Sequence, residues 1–294
     1  MNQRSPVQKS IDLSSHRINV HEWGQALQDQ PTVVLVHATG FHGRTWDKVV
    51  SHLPHHHVIA LDLRGHGMSD ALTFNSWYEL GEDVASTLRK LQLHNVILVG
   101  HSLGGVASVV AAHLEPNIVE KVMLIDPVIL PPPVYQGMDL PMHHAEKTTK
   151  ARQAEFPSID SMISRYQDRQ PFAVFDPEVF RDYVQHGLHW NEDKQAYTLA
   201  CKPDFEARVY THMSSFKDIY KTLESLEQTV HVLRAMAPPS FDKFYGFSYS
   251  PTYPGLVQHI KKGKDIHLDS LTHFIPQQDP VLTAEHIKHL IEET

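Results

Sequence analysis

The chain has 294 residues, with 41% hydrophobic and 20% charged side chains, a composition typical of a globular protein with a sizeable core. The formal net charge is −8 and no basic stripe is present, which argues against nucleic acid as a partner. Cys201 is the single cysteine, the first 15 residues lack an apolar signal segment, and no apolar run can span a bilayer, so a cytoplasmic protein is predicted.

Short apolar runs alternate with helical patterns along the first 130 residues. Strands are predicted at residues 18–22, 32–36, 57–61, 96–99 and 121–125. Helices are predicted at residues 45–51, 76–91 and 105–114. Continuous apolar strands separated by helices are typical of a parallel sheet that is covered on both faces. The pattern therefore predicts an α/β architecture.

This alternation stops at the proline run 131–133. Helical pieces at 177–188 and 205–226 follow, among many aromatic residues, before strand patterns return at 229–235 and 265–268. A last helix is predicted at 281–292. An insertion between two strands of one sheet explains this order better than two tandem domains. The predicted division is an α/β core formed by residues 1–130 and 228–294, with a helical cap formed by residues 131–227.

The most informative motif is the G-x-S-x-G pentapeptide at residues 100–104, which lies between a predicted strand and a predicted helix. This context is typical of a nucleophile elbow. Gly100 and Gly104 have no Cβ atom to clash where the strand and helix backbones approach each other. Ser102 is therefore predicted to lie at the tip of a strained turn, with an exposed hydroxyl group.

A serine nucleophile needs a base within hydrogen-bond reach, a group that orients the base, and donors for the developing oxyanion. His273 is the candidate base, because it follows the last predicted strand and would lie at the same edge of the sheet as the elbow. The backbone N–H groups of Thr39 and Leu103 are the candidate oxyanion donors, since the loop at 37–41 directly follows the second predicted strand.

Two carboxylates compete for the role of orienting the base. Asp126 ends the strand predicted at 121–125 and comes 24 positions after Ser102, so it is expected at the sheet edge near the elbow. Asp242 follows the strand at 229–235, but only after two prolines. Their spacing alone does not decide which of the two aspartates orients the base.

The 23 histidines raise the possibility of a metal site. However, neither an H-E-x-x-H motif nor a paired Cys/His spacing is present, and three consecutive histidines at 55–57 cannot all face one way. Solvated surface histidines are predicted instead. Neither a metal nor a cofactor is expected.

In this order, the motifs resemble the α/β-hydrolase fold with a helical cap. The segment D-x-R-G-H-G-x-S-D at residues 62–70 resembles a signature of that family and is interpreted as structural. The resemblance spans about residues 21–290 and is weak within the cap. It implies a serine hydrolase with the chain order Ser, acid, His. Ser102 separates the chain from the similar epoxide hydrolases and haloalkane dehalogenases, which have aspartate at the elbow.

A second resemblance bears on the acid. Residues 37–41 and 199–207 look like a branch of the fold that includes fungal acyl-CoA hydrolases, which use the earlier acid position. In most other relatives the acid follows the later strand, in a short turn that holds no carboxylate here. This resemblance favours Asp126 and leaves Asp242 as the alternative.

The implied reaction is hydrolysis of a carboxylic ester or thioester through an acyl-enzyme on Ser102. The aromatic residues of the predicted cap, together with Met138 and Met142, indicate a small-molecule substrate with an apolar acyl or aromatic part. Residues 241–253 are expected to form a wall of the pocket that binds it. A lactonase, a C–C bond hydrolase or a cofactor-free haloperoxidase would use the same residues. A non-catalytic ligand-binding homologue is the alternative from a different class.

Overall fold

The computed structural model describes residues 5–28, 30–138, 143–240 and 247–293. The strands of these residues are β1 (Val7–Asp12), β2 (Arg17–Trp23), β3 (Thr32–Val36), β4 (Val58–Leu61), β5 (Val96–His101), β6 (Val119–Ile125), β7 (Glu155–Phe156), β8 (Leu188–Asn191), β9 (Ala196–Leu199), β10 (Thr229–Arg234) and β11 (Lys262–His267). The helices are α1 (Asp47–Ser51), α2 (Trp77–Lys90), α3 (Leu103–Leu114), α4 (Pro132–Tyr135), α5 (His143–Lys150), α6 (Ile159–Tyr166), α7 (Pro177–Gly187), α8 (Pro203–Thr211), α9 (Ile219–Ser225), α10 (Ile275–Gln278) and α11 (Pro280–Glu292).

One large sheet organises the molecule. In the described ranges it has eight strands in the order β1-β2-β4-β3-β5-β6-β10-β11. The pairs β1/β2 and β2/β4 are antiparallel, and every pair from β4 to β11 is parallel. Parallel strands end at a common edge, so the loops after β3, β5, β6 and β11 meet there. The predicted α/β class is confirmed, while β1, a mostly exposed strand with little apolar alternation, was not predicted.

The central strands are apolar on both faces because helices cover both sides of the sheet. In β3, Val34 and Val36 pack in a core with α2 and α3, whereas Val33 and Leu35 face the core on the α1 and α11 side. This alternation follows from the two-residue period of a strand. A strand buried on both faces reads as an unbroken apolar run, which is why β3 was predicted at its observed bounds.

The segment between β6 and β10 is less regular than predicted. The helix expected over 205–226 is divided, because α8 ends at Thr211 and α9 begins at Ile219, and Met213 and Phe216 between them are buried in the core. A small sheet with the order β7-β9-β8 also lies here and was not predicted. The cap boundaries at 131 and 227 stay a prediction. None of the helices in the described ranges combines the length and the apolar character needed to cross a membrane.

Helices α2 and α3 pack closely where small residues meet. Helix α2 begins with a capping box, in which the Ser76 N–H donates to Glu79 Oε1 across 3.2 Å. On the face towards α3, a Cβ atom added to Gly81 would collide with the Val110 side chain and approach the Ala107 carbonyl oxygen to 2.9 Å. The helix–helix distance is therefore set by the absence of a side chain at position 81.

We expect Gly81→Ala to destabilise the protein by about 1–3 kcal/mol, because the added methyl group must force α2 away from α3. This expected loss of stability is opposite in sign to the effect of helix propensity, which favours alanine over glycine by about 1 kcal/mol. Urea unfolding measures the difference. Glu82→Ala, at the exposed neighbouring position on α2, is the control and should change stability by less than about 0.5 kcal/mol. A stabilised Gly81→Ala protein would contradict this account of the packing.

Candidate active site

The turn between β5 and α3 has the strained geometry that its motif predicts. Ser102 has φ 57° and ψ −117°, a conformation that is unfavourable for a residue with a side chain. Its N–H donates to the Ile125 carbonyl oxygen across 3.0 Å, which holds the turn against β6. A Cβ atom on Gly100 would collide with the Gly104 carbonyl oxygen, and one on Gly104 with that of Val36. Both glycines are therefore required by close backbone approach, as predicted.

The structure brings Ser102, His273 and Asp126 together at the carboxyl edge of the sheet. His273 Nε2 lies 3.0 Å from Ser102 Oγ, and His273 Nδ1 lies 2.6 Å from Asp126 Oδ2. In the neutral tautomer that suits both contacts, Nδ1–H donates to the carboxylate and Nε2 accepts from the serine hydroxyl. Asp242, the alternative acid, lies outside the described residues.

All three side chains are enclosed. Their exposed fractions are 4% for Ser102, 2% for His273 and 0% for Asp126. The expectation of an exposed serine hydroxyl was therefore wrong: the group lines a covered cavity instead of the outer surface. The reason is that the chain between β6 and β10 lies over the elbow.

Asp126 has a complete set of hydrogen-bond donors. Its Oδ1 accepts from the Ala235 N–H at 2.9 Å, from Ser250 Oγ at 2.5 Å and from Thr252 Oγ1 at 3.3 Å. These donors leave Oδ2 for His273. A buried carboxylate is costly unless it is bonded in this way. Ser250 and Thr252 lie within the stretch 241–253 that was predicted as a pocket wall, but they were not predicted as partners of Asp126. Two hydroxyl side chains flanking a proline were the available signal.

His101 is the variable residue before the serine in the pentapeptide. Its side chain holds the backbone of His273 in place. It is fully buried, and its Nε2–H donates to the His273 carbonyl oxygen across 2.8 Å. Burial lowers the pKa of His101 well below its usual value, so the ring is neutral. The bond ties the loop that carries His273 to the end of β5.

A cavity of about 390 Å³ opens above Ser102 and His273, and Thr39 also lines it. Leu103 lies beside Ser102 at the first position of α3, where a backbone N–H has no acceptor within the helix. Aromatic residues make up much of its wall, among them Phe41, Phe156, Tyr166, Phe172, Tyr183, Phe247 and Phe274.

The predicted cap and wall residues divide between this cavity and other places. Met138 is 51% exposed and is not among the lining residues, contrary to expectation. Met142 and residues 241–246 lie outside the described residues, whereas Phe247 lines the cavity. Cys201 is buried, and burial raises the pKa of its thiol well above the usual value, which agrees with a structural role.

Buried histidines hold the loop that follows β3. His37 Nδ1–H donates to the Ala38 carbonyl oxygen at 2.7 Å, and its Nε2 accepts from the Leu63 N–H at 2.9 Å. His66 Nε2 accepts from the Gly40 N–H at 3.0 Å. The prediction of solvated surface histidines was wrong for these residues, because neutral imidazole satisfies backbone groups that no water can reach.

The segment 62–70 has the structural role that was predicted. The Asp62 carboxylate accepts from the N–H groups of Gly43 at 2.6 Å and Met68 at 2.9 Å. Burial alone would raise the pKa of Asp62, but its hydrogen bonds and the nearby His21 and His42 hold it well below the usual range. The carboxylate thereby fixes the loops after β3 and β4 relative to each other.

A separate polar cluster deserves comparison with a metal site. Within the described ranges, Asp47, Asp182 and His186 are the one group whose possible ligand atoms all lie within 4.8 Å of one another. Arg44 Nη2 pairs with Asp47 at 2.6 Å, and Lys48 Nζ lies 3.5 Å from Asp182. Cationic side chains therefore already compensate these carboxylates.

Residues 33–285 match the family described as the alpha/beta hydrolase family. The chain belongs to this family. A crystal structure of E-2-(acetamidomethylene)succinate hydrolase has the same fold, with a TM-score of 0.76 and 20% sequence identity, over 98% of this chain and 100% of that one.

Two curated relatives match shorter segments. Esterase Rv0045c of Mycobacterium tuberculosis is 31% identical over 174 residues, or 54% of this chain and 52% of the esterase. The 2-(acetamidomethylene)succinate hydrolase of Mesorhizobium japonicum is 32% identical over 122 residues, or 41% of this chain and 42% of that enzyme. The chain thus spans about half the length of these members of the alpha/beta hydrolase family.

We expect the free energy of unfolding to fall as the pH is lowered from about 6.5 towards 4. Burial lowers the pKa of His37 to about 3 and the pKa values of His42 and His66 to about 4. In the unfolded chain each titrates near its ordinary value of about 6.5. The unfolded state therefore binds protons that the folded state excludes, so stability is complete above this window and is lost below it.

Each such group contributes a limiting slope of about 1.4 kcal/mol per pH unit, which urea unfolding at several pH values measures. His66→Gln should lower the total slope by about that amount, because one titrating ring is removed. His94→Gln, at an exposed position, should leave the slope unchanged. Equal slopes for the wild type and His66→Gln would show that the buried histidines do not set the acid sensitivity.

Proposed function

We propose that this member of the alpha/beta hydrolase family is a serine hydrolase that cleaves a carboxylic ester or thioester through an acyl-enzyme on Ser102. The observation that carries the proposal is the chain of hydrogen bonds from Ser102 through His273 to Asp126, which lies at one side of a covered cavity. The relatives named as an esterase and as a succinate hydrolase support hydrolysis as the reaction type, although they align over about half of their length.

In the first half-reaction, Ser102 Oγ attacks the carbonyl carbon of the substrate while His273 Nε2 takes the hydroxyl proton. Asp126 accepts the Nδ1–H bond, which orients the ring and stabilises the imidazolium that forms. The N–H groups of Thr39 and Leu103 are proposed to donate to the oxyanion. His273 then returns the proton to the departing alcohol or thiol, and the acyl group remains on Ser102.

In the second half-reaction, His273 removes a proton from water, and the resulting hydroxide attacks the acyl carbon. The same backbone donors stabilise the second oxyanion. The bond to Ser102 Oγ breaks, Oγ recovers its proton from His273, and the carboxylic acid leaves. One water molecule is consumed for each ester or thioester bond.

The cavity walls suggest which substrates fit. The aromatic side chains that face the cavity favour an apolar acyl or aromatic part, because burying such a group removes its surface from water. A volume of about 390 Å³ accommodates a small molecule. The cytoplasmic location expected from the sequence stays a prediction.

Covalent labelling tests the nucleophile. A fluorophosphonate probe should label the wild-type protein, because the activated Oγ attacks phosphorus, and Ser102→Ala should not be labelled. Ser225→Ala, on the exposed side of α9, is the matched control and should be labelled like the wild type. A folded wild-type protein that is not labelled would contradict the proposed enzyme and favour a ligand-binding homologue.

Two substitutions test the acid. Asp126→Asn should lower kcat by about 10³–10⁴-fold on a p-nitrophenyl ester, because an amide at this position favours the wrong tautomer of His273. Asp242→Asn should retain kcat within about twofold. Circular dichroism must show that both variants are folded. The opposite pattern, with activity kept in Asp126→Asn and lost in Asp242→Asn, would identify Asp242 as the acid.

A further inference from the structure

An ion pair lies among the residues that line the cavity. Arg152, which follows α5, donates from Nη1 to Glu206 Oε2 on α8 across 2.5 Å. Both side chains line the same cavity as Ser102 and His273. Among the described residues that line it, Arg152 is the one with a permanent positive charge. The mechanism proposed above uses neither member of the pair.

The two charges are not equally accessible. The Arg152 side chain is 26% exposed, whereas that of Glu206 is 7% exposed. Glu206 packs against the loop after β3, because a Cβ atom added to Gly40 would approach Glu206 Oε1 to 2.8 Å. A ligand in the cavity therefore contacts the guanidinium group of Arg152. The carboxylate of Glu206 fixes the orientation of that guanidinium.

The guanidinium retains capacity for a ligand. It has five N–H donors arranged in a rigid fork, and Nη1 donates to Glu206 Oε2. Tyr183 is a second hydrogen-bond partner, so the five donors outnumber these two partners. Although burial works against the charged form, Tyr183 and Glu206 hold the pKa of Arg152 above its usual value, so the group stays protonated. Thr149, Gln153 and Gln170 also line the cavity and add polar surface to it.

A planar fork of N–H donors in a partly buried place matches a carboxylate, whose two oxygens accept a pair of parallel bonds. We propose that Arg152 binds a carboxylate at the end of the acyl part away from the scissile carbonyl. The substrates are then half-esters or half-thioesters of dicarboxylic acids, with an apolar middle section against the aromatic wall. The choice of half-esters and half-thioesters as substrates rests on the proposed hydrolysis. The binding of a carboxylate by Arg152 does not depend on that reaction.

Paired substrates of equal chain length test the carboxylate site. Mono-p-nitrophenyl adipate and p-nitrophenyl hexanoate differ in the terminal carboxylate, and the readout is the ratio of their kcat/KM values. Arg152→Gln should lower the adipate-to-hexanoate ratio by about 10- to 100-fold, because charge-assisted bonds are lost on one substrate. Arg152→Lys keeps the charge without the fork and should give an intermediate ratio.

Glu206→Gln should raise the ratio, because it removes the charge that competes with the substrate carboxylate for the guanidinium. Arg181→Gln, an exposed arginine on α7 away from the cavity lining, should leave the ratio unchanged. An equal loss on both substrates in Arg152→Gln would mean that the ion pair only supports the fold. An unchanged ratio in both Arg152 variants would likewise overturn the inference.

A binding measurement separates this inference from the proposed reaction. Adipate should raise the melting temperature of the wild-type protein and not that of Arg152→Gln, whereas 1,6-hexanediol should raise neither. If neither ester is hydrolysed but this selective effect is present, the carboxylate site stands and the proposed reaction fails. If p-nitrophenyl hexanoate is hydrolysed and adipate has no selective effect on the melting temperature, the reaction stands and the carboxylate site fails.

Discussion

The arrangement at the carboxyl edge of the sheet depends on the compensation of one buried charge, the carboxylate of Asp126. A group that is 0% exposed needs donors on both oxygens, and three parts of the chain supply them: the residue after β10, the segment with Ser250 and Thr252, and the loop that carries His273. Movement of any of these segments would remove hydrogen bonds from the carboxylate. The Asp126 carboxylate therefore holds these loops together through hydrogen bonds.

A second constraint is steric and acts on the backbone. The chain reverses from β5 to α3 through Ser102 at φ 57°, and the space on either side is filled by carbonyl oxygens that exclude a Cβ atom at Gly100 and Gly104. The strain at Ser102 persists because a hydrogen bond to β6 and the close packing of α3 leave the turn no alternative. The electrostatic and steric constraints are linked through His273, which hydrogen-bonds to both Asp126 and Ser102.

Much of the fold was predictable because its central strands are buried on both faces. Unbroken apolar runs identify such strands, and β3 and β6 were found close to their observed bounds. The exposed edge strand β1 and the hairpin β8–β9 gave no such signal. The break between α8 and α9 was missed because the apolar residues Met213 and Phe216 continue a helix-like pattern through a turn that tertiary packing determines.

The candidate site was predictable in part for a similar reason. The positions of Ser102, His273 and Asp126 follow from their places at strand ends, which chain order reveals. The partners of Asp126 and the pairing of Arg152 with Glu206 join residues 54 or more positions apart, and no local pattern encodes such distances. Likewise, the histidines around the loop after β3 bind backbone groups, so their burial has no sequence motif.

The supply of negative charge from the end of β6 has a consequence for the chain that follows β10. Among its described residues, that chain contributes a backbone amide and two neutral hydroxyl groups to Asp126. The described residues of this connection therefore add no carboxylate beside His273. Phe247 lies on the same connection and lines the cavity, so this part of the chain shapes the cavity wall while the end of β6 supplies the carboxylate.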